Sequence, residues 1–148
     1  MPALQVATDG LGEPPGQERL ERVERAARAA LACQLNPETG GEHPLDSVVV
    51  TLVGPARMQE VNRQFHGVDA PTDVLAFRLD GPEATIGDVY VCPDIASGAP
   101  SPLTEELMRL AIHGVLHARG LAHPETARSR WTSEMFRLQE AVLAGVVL

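Results

Sequence analysis

Lysine is absent from this chain of 148 residues, so all twelve basic side chains are arginines. Twenty Asp and Glu residues outnumber them and give a formal charge of −8. A protein that coats nucleic acid non-specifically carries the opposite sign, and that class is excluded. A local basic cleft on an acidic protein is not. Arginine forks phosphate oxygens well, but its exclusive use is better explained by genome composition. Aromatics are scarce, with three Phe, one Tyr and one Trp, so aliphatic side chains must fill the core. Cys33 and Cys92 stand isolated, and both are expected as reduced thiols. No run approaches the ~18 apolar residues of a membrane span. The opening MPALQVATDG has neither a basic n-region nor a long apolar h-region. No signal peptide and a cytoplasmic location are therefore expected.

What the chain does contain suits one domain over residues 1–148, large enough to bury a core without staples. Leu4–Thr8 reads as a short strand, broken by the Gly- and Pro-rich Gly10–Gly16. Glu18–Gln34 reads as a helix with an apolar stripe of Leu20, Val23, Ala27, Ala30 and Leu31. Its Arg19, Arg22, Arg25 and Arg28 resemble a rail for RNA. Glu18, Glu21 and Glu24 each lie four residues before an Arg, however, and a solvated, salt-bridged face is favoured. Ser47–Val53 (SVVVTLV) is β-branched and apolar, as a buried central strand requires. Pro55 opens a second helix with Met58, Val61 and Phe65 toward the core and Gly67 as its stop. Asp73–Leu79 and Ile86–Cys92 form a hairpin across Gly81 and Pro82. Ser101 and Pro102 look like the cap and first position of a third helix. A last helix, about Ala127 to Gly145, buries Trp131, Met135, Leu138 and Val142.

That third helix carries the chemistry. Leu110–His123, LAIHGVLHARGLAH, holds three of the five histidines. His113 and His117 are four apart and share one helix face. From Leu110 to Ala118 they are the only polar side chains, so the helix is a buried one. Gly120 lets the chain leave the helix through a left-handed turn and bring His123 back toward the pair. A core histidine pair bonded to backbone or water is the ordinary explanation of such spacing. The third imidazole shifts the balance to a metal site with three nitrogens and an open fourth position, the arrangement of catalytic zinc.

The segment HGVLHARGLAH resembles the metal motif of the YbeY family, bacterial metal-dependent endoribonucleases that mature ribosomal RNA. The family pattern, His-Gly-x-Leu-His, two residues, Gly, two residues, His, falls on His113, Gly114, Leu116, His117, Gly120 and His123. Ala122 stands where the family usually has an acidic residue. A second block, VNRQFHGVDAPTDVLAF, matches the family at Asn62, Phe65, Pro71–Leu75 and Phe77. There the family's functional Arg falls on His66 and its Ser on Ala76. Gly87–Tyr90 resembles the family's Gly-Asp-Ile/Val segment, and Asp73 and Asp88 would be polar groups near the metal. The likeness spans roughly Ser47 to Val142.

The resemblance implies a single-strand endoribonuclease in 16S ribosomal RNA 3′-end maturation and ribosome quality control. Its partners would be single-stranded ribosomal RNA and the small ribosomal subunit with its proteins, without membrane or DNA. His113, His117 and His123 would hold one zinc ion, though three imidazoles also suit nickel or another divalent metal. His66, or Arg63 one turn earlier, would steady phosphate charge or move a proton. As ordinary residues, Arg63 is a solvated helix residue, the favoured reading of it, and His66 a helix-end residue near the negative pole. The expected fold is α+β: a small mixed sheet of about four strands covered by helices, with the metal site on a buried helix and the loop after it. Two other readings stand beside this one. A zinc peptidase-like hydrolase fits the histidine spacing but lacks the Glu that follows the first His in metzincins, where this chain has Gly114. A non-enzymatic ribosome-associated factor would use the metal only to hold its fold.

Overall fold

In the computed structural model, which describes residues 2–35, 44–120 and 134–147, short apolar runs alternate with amphipathic helices. The order is β1 (Ala3–Asp9), α1 (Gln17–Ala32), β2 (Ser47–Val53), α2 (Pro55–His66), β3 (Val74–Asp80) and β4 (Thr85–Val91). Then come α3 (Pro93–Ala96), α4 (Leu103–Ala118) and α5 (Glu134–Val147). The four strands make one mixed sheet in the order β1-β2-β4-β3. β1 and β4 flank β2 in parallel, and β3 pairs antiparallel with β4 as the edge. The expected α+β fold, a four-stranded mixed sheet covered by helices, is thus observed, while Trp131, His123 and the loop expected to complete the metal site lie outside the described residues.

Side chains of a strand alternate between faces. Val48, Val50 and Leu52 of β2, with Val89 and Val91 of β4, pack against α1, α4 and α5 in the main core. On the other face Val53 and Cys92 meet Met58 of α2, with Leu75 and Tyr90 beside them. Helix α4 lies so close to the sheet that a Cβ at Gly114 would sit 2.3 Å from Val89 Cγ1.

Arginines hold the helix ends. Arg119, 4% exposed, donates to the carbonyls of Ala30 and Cys33 and so joins the ends of α4 and α1. Arg78 donates from Nη1 to Ala118 O (3.1 Å), from Nη2 to Pro44 O (3.0 Å) and from Nε to Asp80 (3.2 Å). Cations there also face the negative helix poles. On α1, Arg28 pairs with Glu24 at 3.0 Å. Arg19 instead donates to Thr104 (3.0 Å), and Glu21 accepts from Gln17 (3.2 Å).

Two sequence expectations are corrected. Phe65 is 55% exposed rather than buried, because it sits at the sheet edge, where its ring meets Phe77 of β3 on one side and water on the other. Asn62 is the buried residue of that turn, its Nδ2 donating to Ala70 O at 2.9 Å. Ser101 does not cap α4. The helix starts at Leu103 after Pro102, with no side-chain cap, and the Ser101 hydroxyl accepts from Arg109 at 3.1 Å.

Candidate active site

The edge position of β3 creates the site. Helix α4 runs along one face of the sheet and α2 ends on the other, so both reach the open margin of β3. His113 and His117 from α4 and His66 from the last turn of α2 line one recess of about 150 Å3 with Val74, Leu75 and Ala76. A cleft of about 590 Å3 shares His113 and Val74 with it and extends past Asp73, Arg109 and Gln139. The two hollows adjoin at His113 and Val74, which line both.

His113 is half-buried and His117 exposed. The Nδ1 of His113 lies 2.8 Å from Gln139 Oε1. That oxygen only accepts, so Nδ1 donates to it, and in the neutral ring the lone pair is then on Nε2, the form in which imidazole binds a metal. The amide orientation is fixed in turn, because Gln139 Nε2 donates to Glu140 Oε2 at 3.0 Å. Glu140 accepts from Arg109 Nε at 3.0 Å, and Arg109 Nη1 donates to Glu106 at 2.7 Å. Burial works against the Arg109 charge, but its bonds to Glu106 and Glu140 outweigh that and hold its pKa above the ordinary value. The chain of contacts from Glu106 to His113 thus locks one imidazole in a ligand-ready tautomer.

The other predicted groups divide. Asp73 lines the larger cleft beside His113. Asp88 is on the sheet face opposite α4, where its Oδ2 accepts from the Tyr90 hydroxyl at 3.1 Å. Burial pushes its carboxyl pKa up, against the Tyr90 bond and the Arg57 charge. Arg63 is exposed and lines neither hollow. Gly120 has φ +105°, so the backbone does turn left-handed after α4. Among the described residues no group of three His, Cys, Asp or Glu is arranged to hold a metal; the third predicted ligand, His123, lies outside them.

Gln139 was missed in the sequence, although a signal existed. It stands four residues after Met135 and four before Leu143, both buried, so it is a polar residue on an apolar stripe. Gln139→Leu is expected to lower metal affinity by roughly 10–100-fold, the usual effect of losing a partner that orients a ligand. Zinc titration calorimetry beside a thermal melt checks this, since a purely structural role would move only the melt.

The YbeY family profile, described as Endoribonuclease YbeY, matches residues 16–146. Curated relatives of that name include one from Moorella thermoacetica, 38% identical over 91% of each chain. Another, from Thermobifida fusca, is 33% identical over 97% of this chain and 93% of its own. The solution structure of TM1509 from Thermotoga maritima superposes with a TM-score of 0.57 at 29% identity, covering 95% of this chain and 88% of that one. The chain therefore belongs to the YbeY family of endoribonucleases, hydrolases of RNA phosphodiester bonds.

Proposed function

We propose that this protein is a zinc-dependent, single-strand-specific endoribonuclease of 16S ribosomal RNA 3′-end maturation and ribosome quality control, acting in the cytoplasm on the small subunit. His113, His117 and His123 hold the ion, with nickel or another divalent metal as substitutes. A divalent ion held there would supply water with its pKa lowered to ~7, or polarisation of a phosphate oxygen. The observation that carries the reading is the convergence of His66, His113 and His117 on one recess, with His113 held by Gln139.

The remaining roles belong to the chain's own side chains. His66 faces the α4 histidines across β3 and, when protonated, offsets phosphate charge; when neutral it accepts a proton. Its position favours it over Arg63 for this work. Gln139 keeps the His113 lone pair on Nε2. The peptidase alternative lacks the base its motif places after the first His, since that place is Gly114, pressed onto Val89.

The test is metal removal and return. Chelated protein is expected to leave single-stranded ribosomal RNA uncut, and stoichiometric zinc to restore cleavage, with duplex RNA and unfolded protein resistant. Zinc-loaded protein that cuts no RNA would sink the proposal. Unfolding on chelation, with metal-site variants that stay folded remaining active in cells, would favour the structural-metal reading.

A further inference from the structure

An aromatic cluster adjoins the histidine recess, and the site chemistry above makes no use of it. The Phe65 and Phe77 ring centroids are 4.8 Å apart, and His66 stands 5.5 Å from Phe77. Tyr90 meets Phe77 edge-on at 6.3 Å, its hydroxyl tied to Asp88. The chain has only three Phe, one Tyr and one Trp, yet two Phe and the Tyr gather here. Phe77 is half-buried, but Phe65 leaves 55% of its surface in water. An exposed aromatic face backed by a second ring can take a flat partner stacked on it.

Continuity and charge indicate which occupant. His66 belongs to both features: its ring lines the recess with His113 and His117 and also packs on Phe77. A strand whose phosphate enters the recess would thus run beside the rings. The chain carries −8, and Arg28, Arg57, Arg78 and Arg109 are each paired with carboxylates, so the strand needs contacts beyond charge; exposed Arg63, two residues before Phe65, adds one cation. Stacking on an aromatic face needs no charge and is available only to unpaired bases.

We propose that Phe65, backed by Phe77, is a stacking platform for an unpaired nucleobase of the RNA, next to the nucleotide held at the histidines. This rests on the ribonuclease reading above and gives its preference for single strands a physical origin. A duplex keeps its bases within its own stack and cannot use the platform.

The experiment measures binding and cleavage of a fluorescent single-stranded RNA by the zinc-loaded full chain. Phe65→Ala is expected to raise Kd and KM by roughly tenfold or more, with kcat changed little and the melt unchanged. Phe65→Trp restores both constants, and RNA carrying an abasic residue at the stacked position loses its discrimination between wild type and Phe65→Ala. Ile95→Ala, which trims an exposed apolar side chain outside the cluster, leaves KM as it was. Wild-type cleavage with an unchanged KM in Phe65→Ala overturns the platform alone and leaves the patch to a protein partner. Wild type that neither binds nor cuts the RNA overturns both readings.

Discussion

Replacing His117 with alanine is expected to lower kcat/KM on single-stranded RNA by roughly 100- to 1,000-fold, the order lost with one electrostatic group at a reacting centre. The fold should survive. His117 is exposed in the last turn of α4, and alanine is the best helix former. The loss is therefore expected without a matching fall in Tm, and with zinc content below one ion per chain. His113→Ala should lose as much activity but also stability. It leaves Gln139 Oε1, on a side chain 5% exposed, without its imidazole donor, and a buried acceptor left unpaired costs about 1–3 kcal/mol. Steady-state kinetics, metal analysis and melts on both variants check the pair. A His117→Ala protein that holds stoichiometric zinc and cuts at the wild-type rate would remove that imidazole from the site.

Gly114→Ala is expected to destabilise the protein although alanine favours a helix by ~1 kcal/mol. The new methyl would lie 2.3 Å from Val89 Cγ1, and Val89 is fully buried with a stiff, branched side chain. Overpacking of this kind costs about 1–3 kcal/mol and here should exceed the helical gain. In a chain this long each net kcal/mol lowers Tm by roughly 2–4 °C. The test is a double-mutant cycle with Val89→Ala. Trimming the valine should relieve much of the cost of Gly114→Ala, a coupling that independent sites do not show. Additive effects would mean that helix and strand separate easily at this contact. The same contact explains why the metzincin Glu has no place in this fold.

Much of this arrangement is legible along the chain. SVVVTLV is apolar on both faces and became a central strand, and the four-residue spacing of His113 and His117 placed both in one recess. Gly67 ends α2 in the left-handed conformation anticipated for it. The failures share a cause, because periodicity describes a helix face but not what lies opposite. Phe65 continues the stripe of Met58 and Val61, yet at the sheet edge it meets Phe77 on one side and water on the other. Ser101 precedes Pro102 as a cap would, but Arg109, eight residues on, takes its hydroxyl. Gln139 is 26 residues from His113, and only the docking of α5 on α4 makes them neighbours.

Arg78 gives the absence of lysine a mechanical side. Its guanidinium reaches three acceptors with three different nitrogens: Asp80, the last carbonyl of α4, and Pro44 just before β2. A planar fork spans such points at once, whereas an ammonium is a single point of charge on a flexible stem. Mutational drift toward lysine codons would therefore meet little resistance at exposed Arg25 or Arg28. At position 78 it would loosen the edge strand from the histidine helix, and selection would hold arginine there whatever the base composition of the genome.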